Sequence, residues 1–133
     1  MTKIKVNYLG HLRTECVHEQ SGTVIQTDAP IDNQGKGEYF SPTDLLATSL
    51  VSCMLTIMAI RCREANIDIE GVRANVQKIM VTDPRRVGTV LVEIIMPSRE
   101  YSARDKKIIE TAVQTCPVAM SILPDIAETT IVW

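Results

Sequence analysis

Apolar and polar side chains alternate along the start of the chain, in three short runs separated by turn residues. The runs cover residues 3–8, 12–19 and 23–27, and Gly10 and Gly22 lie between them. Alternation with a period of two, bounded by glycine, is typical of β-strands joined by tight turns. The pattern therefore predicts that the fold begins as a three-stranded meander.

The longest apolar run follows a polar, glycine-containing loop at residues 28–41. Ser41 and Pro42 suit the N-cap and first helical position, and Asp44 suits a capping box. The predicted helix extends to about Ala65, and its apolar side chains surround the axis instead of forming one stripe. Because a sheet of the same chain covers only one face, the pattern predicts a second subunit on the other.

Two long β-branched runs, at residues 67–82 and 86–96, predict an antiparallel hairpin. Ser102 then begins an amphipathic helix, which is interrupted where Cys116 precedes Pro117.

A short helix to about Leu123 and a strand at residues 129–133 complete the predicted elements. Their order is βββ-α-ββ-α-α-β, with strands and helices segregated along the chain. This order predicts an α+β fold, and 133 residues are the length of a single domain, residues 1–133.

The charged residues are balanced, with 14 basic and 16 acidic side chains interspersed. No cationic stripe is present, which argues against nucleic-acid binding. The first ten residues lack the apolar core of a secretory signal, and the apolar run at residues 45–60 is short and rich in hydroxyl groups for a membrane span. We therefore expect a cytoplasmic protein without membrane attachment.

Four cysteines, at positions 16, 53, 62 and 116, form no CxxC pair and have no clustered histidines. Their spacing fits neither a metal site nor a secreted disulfide framework. Cys53 and Cys62 are nine residues apart on the predicted helix. Because that separation is about two and a half turns, their sulfurs point to opposite sides and cannot pair.

Cys116 directly precedes Pro117, a favoured first helical residue. At a helix start, N–H groups and the helix dipole favour a thiolate and lower the thiol pKa, although such a cysteine can equally be a weak N-cap. Cys53 taken alone is also consistent with an inert core residue. Any disulfide of Cys53 must be long-range, and Cys116 is the partner whose local setting suits it.

The segments SPTDLLATSLVSCMLTIM and ETAVQTCPVAMSIL resemble the two signature regions of the OsmC/Ohr family of osmotically induced and organic hydroperoxide resistance proteins. The resemblance implies an intertwined homodimer with the two long helices buried at its centre. It also implies that Cys53 attacks the peroxide bond and becomes sulfenic acid, and that Cys116 then closes a disulfide. An external dithiol, often lipoyl-linked, reduces that disulfide, and no bound cofactor is needed.

The sequence departs from this family pattern ten residues before Cys53, where the best-studied members carry a catalytic Glu and this chain has Thr43. Asp44 is acidic but lies about 180° around the helix from Cys53, which argues against its taking the place of that Glu. The departure is typical of an OsmC-like branch with the acid one place later. Arg13 is the candidate cation by position, and Glu38 is a candidate hydrogen-bonding residue of the site; a solvated surface role fits both equally well.

The leading hypothesis is a thiol-dependent peroxidase that reduces organic hydroperoxides in oxidative stress defence. The alternative, favoured by Thr43, is a dimeric small-molecule binding module with an apolar pocket and little or no turnover. A thiol enzyme acting on electrophilic acyl groups ranks last, because His11 and His18 lie on opposite faces of the predicted sheet and neither is placed as a base.

Overall fold

The computed structural model describes all residues from Met1 to Trp133 and divides into two compact units. The first unit is Met1–Leu46 and the second is Ala47–Trp133. The boundary falls inside the long helix α1, Pro42–Glu64. The mixed architecture of two sheets and two α-helices is the predicted α+β fold.

The first unit contains three strands, β1 (Ile4–Gly10), β2 (Arg13–His18) and β3 (Val24–Asp28). They pair antiparallel in the order β1-β2-β3, so the predicted meander is confirmed. The register places Arg13 directly opposite Asp28.

The buried residues of the first unit are all polar, namely Thr27, Asp28 and Ser41. The pairing register places Val6, Cys16 and Ile25 on one face of the sheet. Val6 is 61% exposed and Ile25 47% exposed. The single chain therefore leaves an apolar sheet face open to solvent.

Helix α1 begins with the predicted capping box. The Ser41 hydroxyl accepts a bond from the Asp44 N–H at 3.0 Å, and the Asp44 carboxylate accepts one from the Ser41 N–H at 2.9 Å. By length and composition α1 is also apolar enough to cross a membrane, a test that core helices of soluble proteins pass as well. The buried side chains form one stripe: Ala47, Leu50, Val51, Met54, Met58 and Cys62.

The opposite face of α1 is exposed in the single chain and carries mostly small side chains, together with Ile60: Ser49, Ser52, Thr56, Ala59 and Ile60. In the single chain, only one face of α1 is buried. The predicted second subunit remains a prediction, because the structure describes one chain.

The second unit contains a sheet of β4 (Arg73–Val81), β5 (Arg86–Ile95) and β6 (Ala127–Val132) in the order β4-β5-β6. β4 and β5 pair antiparallel, and β6 joins β5 in parallel. Helix α2 (Ala103–Gln114) starts at a second capping box. The core combines the α1 stripe with alternate residues of β5 and one face of α2: Val87, Val90, Val92, Ile94, Ile109, Ala112 and Val113.

Two predicted elements are shorter than expected. The strand predicted from residue 67 begins only at Arg73, because Asn66 adopts a left-handed conformation and the Ile67 N–H bonds back to the Cys62 carbonyl, which ends α1. The short helix predicted after Cys116 is a single 3-10 turn, Ala119–Ser121. Sequence periodicity does not reveal these local terminations.

Candidate functional site

Cys53 and Cys116 are brought together within the second unit, although they are far apart in the sequence. Cys53 lies in the middle of α1, and Cys116 lies two residues after the end of α2. The two side chains are close enough for Cys53 to raise the pKa of the Cys116 thiol through a side-chain hydrogen bond. Both are free thiols, so the structure describes the reduced pair.

The two thiols differ in exposure. Cys116 has no solvent-accessible surface, whereas Cys53 is partly exposed. Ser49 and Thr56, one helical turn away from Cys53 on either side, are exposed. In the single chain, Cys53 is therefore partly open to solvent and Cys116 is not.

Burial raises the pKa of the Cys116 thiol and outweighs the bond that its sulfur accepts from the Ala119 N–H at 3.3 Å. The contact with Cys53 raises that pKa further. The expectation of a favoured thiolate at Cys116 was therefore wrong. Only a 3-10 turn follows Pro117, so the aligned peptide dipoles of an α-helix are missing, and desolvation dominates.

The other two cysteines lie apart from this pair. Cys62 is buried on α1, and burial, with a smaller contribution from the charge of Asp105, raises the pKa of its thiol. Cys16 is half-buried on β2, where its sulfur lies 3.9 Å from the Thr14 hydroxyl.

A cluster of charges in the first unit surrounds Arg13. Its guanidinium donates two hydrogen bonds to Asp28, at 2.7 and 2.8 Å, and one to Glu38 at 2.8 Å. The Tyr39 ring lies under the same group, with its centroid 4.5 Å away. The structure thus brings the two candidates Arg13 and Glu38 into direct contact.

Asp28 anchors this cluster and is only 1% exposed. Its bond with Arg13, opposed by burial and supported by the Glu38 N–H at 3.0 Å, lowers the pKa of the carboxyl to about 2. The same bond and the weaker one to Glu38 raise the pKa of Arg13 above its usual range. Arg13 is consequently a permanent cation held in one orientation.

Asp28 is the residue that the sequence analysis missed. The sequence contains an Arg near the start of one predicted strand and an Asp at the end of the next. Whether these two residues face each other depends on the register of β2 and β3. Asp44, by contrast, lies in the capping box of α1, where its carboxylate accepts the Ser41 N–H.

An apolar cavity of about 360 Å³ lies in the second unit. It reaches Ala119, the residue whose N–H bonds the Cys116 sulfur, and no charged side chain lines it. Its lining residues are Met54, Val113, Gln114, Ala119, Met120, Ile122, Pro124, Ala127 and Thr129.

Residues 35–130 match the family model described as OsmC-like protein. The chain belongs to the OsmC-like family. The two cysteine segments that carried the sequence resemblance both lie within the matched residues. A search of curated proteins returned no significant match.

Solved structures agree with this assignment over the whole chain. A Psychrobacter arcticus protein, assigned provisionally to osmotic stress induction and detoxification response, is 53% identical with a TM-score of 0.92, covering 99% of this chain and 96% of its own. The Bacillus subtilis organic hydroperoxide resistance protein OhrB shares the fold at 13% identity and a TM-score of 0.70, with 99% and 98% covered. An organic hydroperoxide resistance protein OsmC from Legionella pneumophila also shares the fold, at 14% identity and a TM-score of 0.73. The match covers 98% of this chain and 94% of the Legionella chain.

Proposed function

We propose that this protein is a cytoplasmic thiol-dependent peroxidase that reduces organic hydroperoxides and takes part in oxidative stress defence. The observation that carries the proposal is the contact between a partly exposed Cys53 and a buried Cys116. A peroxide can approach the first sulfur, and the second lies where it can resolve the product. Family membership and the names of the structural relatives support the same chemistry.

The proposed reaction begins when the Cys53 thiolate attacks one peroxide oxygen. The O–O bond breaks, the alcohol leaves with a proton, and Cys53 becomes a sulfenic acid. The Cys116 sulfur then attacks the Cys53 sulfur, loses its proton, and displaces the hydroxyl group as water. An external dithiol returns the two electrons and regenerates both thiols, so the protein itself needs no bound cofactor.

Arg13 is the proposed cation that favours the Cys53 thiolate and the developing charge on the peroxide oxygen. Its two carboxylate partners and the Tyr39 ring hold it as a fixed, permanently charged group. Glu38 is the proposed orienting partner on the exposed side of the guanidinium. Asp28 takes the anchoring role on its buried side.

We also propose a homodimer. The support is the apolar sheet face containing Val6 and the exposed Ile60 on the open face of α1, since exposed apolar surface commonly marks an interface. Val6→Lys should shift the sedimentation coefficient towards that of a monomer. Asn7→Lys, on the opposite face of β1, should not. A wild-type monomer at micromolar concentration would contradict the dimer.

The peroxidase proposal is tested by mass analysis after one equivalent of cumene hydroperoxide. The expected product has lost two hydrogens and contains a Cys53–Cys116 crosslinked peptide. Cumene alone is the matched control and should leave all four thiols titratable. A protein that consumes no peroxide and forms no crosslink would contradict the proposal.

The second candidate function is a small-molecule binding module, favoured by the apolar cavity and by Thr43 in place of the expected acid. It predicts saturable binding of cumene without thiol oxidation by its hydroperoxide. Thiol titration before and after the hydroperoxide pulse therefore distinguishes the two functions.

A further inference from the structure

The resolving step of the proposed reaction places a negative charge on a buried sulfur. Cys116 has no exposed surface even in the single chain, and burial raises the pKa of its thiol. Such a charge is costly in an apolar interior unless a cation or a hydrogen-bond donor stabilises it. The main influences on this pKa include Cys53 but no cation. Hydrogen-bond donors are therefore the groups that can stabilise a Cys116 thiolate.

The backbone N–H of Ala119 is such a donor. It donates to the Cys116 sulfur at 3.3 Å and lowers the pKa of the thiol, against the effect of burial. The Val118 N–H acts in the same direction with a smaller effect. Pro117 has no N–H, so these two groups are the first backbone donors after the cysteine. Both of them therefore act on the same sulfur.

Hydrogen bonds that do not involve the sulfur hold this turn in place. The Met120 N–H donates to the Cys116 carbonyl at 3.1 Å. The Ser121 hydroxyl donates to the Pro117 carbonyl at 2.7 Å. The Ala119 N–H is thus already oriented in the reduced protein, and a donor fixed before the charge develops needs no reorganisation when it does.

We propose that the Ala119 N–H is a catalytic group of the resolving step, in which it stabilises the negative charge on the Cys116 sulfur. The proposal rests on the proposed function, because it requires Cys116 to resolve the sulfenic acid of Cys53. It does not depend on which face of α1 a second subunit covers, because the donor and the sulfur belong to the same turn.

The step balances without a further reactant. The Cys116 proton goes to the leaving hydroxyl group, the S–S bond forms, and the S–O bond breaks with release of water. The Cys116 sulfur is oxidised and the Cys53 sulfur is reduced, while the Ala119 proton stays on its nitrogen. A disulfide sulfur is neutral, so the Ala119 bond is stronger while the charge is present than after the reaction.

The test removes this N–H without changing a side chain. The full chain is assembled by ligation at Cys116, from residues 1–115 and a synthetic peptide of residues 116–133 that carries lactic acid in place of Ala119. The resulting ester lacks the donor. The all-amide ligated chain is the reference. A matched control carries the hydroxy-acid analogue of Met120, which removes the bond to the Cys116 carbonyl and keeps the bond to its sulfur.

The first measurement needs no peroxide. An isotopic label at the Cys116 Cβ enters with the synthetic peptide, and its chemical shift is followed by NMR as the pH is raised. The pKa of Cys116 should be higher in the Ala119 ester than in the all-amide chain, and unchanged in the Met120 ester. An unchanged pKa in the Ala119 ester, or an equal rise in both esters, would overturn the proposal.

The second measurement is the rate of disulfide formation at cumene hydroperoxide concentrations where that rate no longer rises, so that resolution limits it. Samples are quenched in acid, and the Cys53–Cys116 crosslinked peptide is quantified by mass analysis. At neutral pH the Ala119 ester should resolve about tenfold more slowly than the all-amide chain, because loss of a donor to a charged group lowers the thiolate fraction. The Met120 ester should resolve at the all-amide rate.

The pH profile separates this role from a structural one. The deficit of the Ala119 ester should shrink as the pH approaches the pKa of Cys116, because the thiol then ionises without help. A deficit of equal size at every pH would contradict the proposal, since a misplaced turn slows the reaction at every pH. If the Ala119 ester raises the pKa but peroxide forms no disulfide in any chain, the peroxidase function fails and the Ala119 N–H remains the donor that stabilises the thiolate.

Discussion

The two units of the chain are organised by opposite means. In Met1–Leu46 the buried residues are polar, and the central one, Asp28, is ionised and bonded to Arg13. In Ala47–Trp133 the buried residues are apolar and include two cysteines, Cys62 and Cys116. One unit fixes a charge, and the other keeps thiols neutral.

This difference shows that the surroundings of a buried group decide whether it is held charged or neutral. Desolvation in an apolar core disfavours a thiolate, as the raised pKa of Cys116 illustrates. A charged network does the reverse, since it holds Asp28 ionised despite its burial.

The largest expected effect comes from removing the thiol of Cys53. Cys53→Ser should abolish hydroperoxide consumption, a loss of more than about 100-fold, because the attacking sulfur is removed. Cys62→Ser is the matched control on the same helix and should retain nearly full activity in a coupled peroxide assay. Loss of activity in Cys62→Ser alone would move the site to the buried face of α1.

The next largest effect is expected from removing the positive charge of Arg13. Arg13→Gln should slow the oxidation of Cys53 by about 10- to 100-fold, because a fixed positive charge is removed. The measurement is single-turnover thiol loss with cumene hydroperoxide. Lys5→Gln removes a cation of the same sheet that pairs with Glu19 and should have no such effect. The double variant Arg13→Gln, Asp28→Asn should recover stability without recovering rate; recovery of both would limit Arg13 to a structural role.

A smaller effect is expected in the acid stability of the charge cluster. Because the folded pKa of Asp28 is about 2, below the unfolded value, its contribution is complete above about pH 4 and is lost as pH falls towards 2. Asp28→Asn should be less stable than wild type at neutral pH, with the difference shrinking over that window. Thermal midpoints between pH 2 and about 6 measure this. Asp125→Asn, an exposed loop carboxylate, should not change the pH dependence.

The smallest effect concerns the helix start. Asp44→Ala should destabilise the protein by about 1 kcal/mol, because it removes the carboxylate of the capping box, and should leave Cys53 oxidation unchanged. Asp105→Ala, at the matching position of the α2 capping box, should lower the free energy of unfolding by a similar amount, as measured by urea unfolding. A tenfold slower oxidation in Asp44→Ala at preserved stability would instead assign that carboxylate to the chemistry.

Periodicity and local signals in the sequence were sufficient for the order of elements and for the identity of the cysteine segments. Strand alternation, the cap at Ser41 and the break at Pro117 all depend on near neighbours in the chain, so they can be identified without a fold. The extent of the strand predicted from residue 67 was less accurate, because Ile67 completes the end of α1 and the Val72 N–H then closes a turn onto the Ile69 carbonyl.

Tertiary structure alone decided the pairing of Arg13 with Asp28 and the unequal exposure of Cys53 and Cys116. Strand register determines which charges meet, and packing of distant elements determines which sulfur is desolvated. A local dipole argument predicted a lowered pKa at Cys116, and burial by residues distant in sequence reversed it. Desolvation depends on everything that surrounds a group, and the neighbours that surround Cys116 are set by the fold.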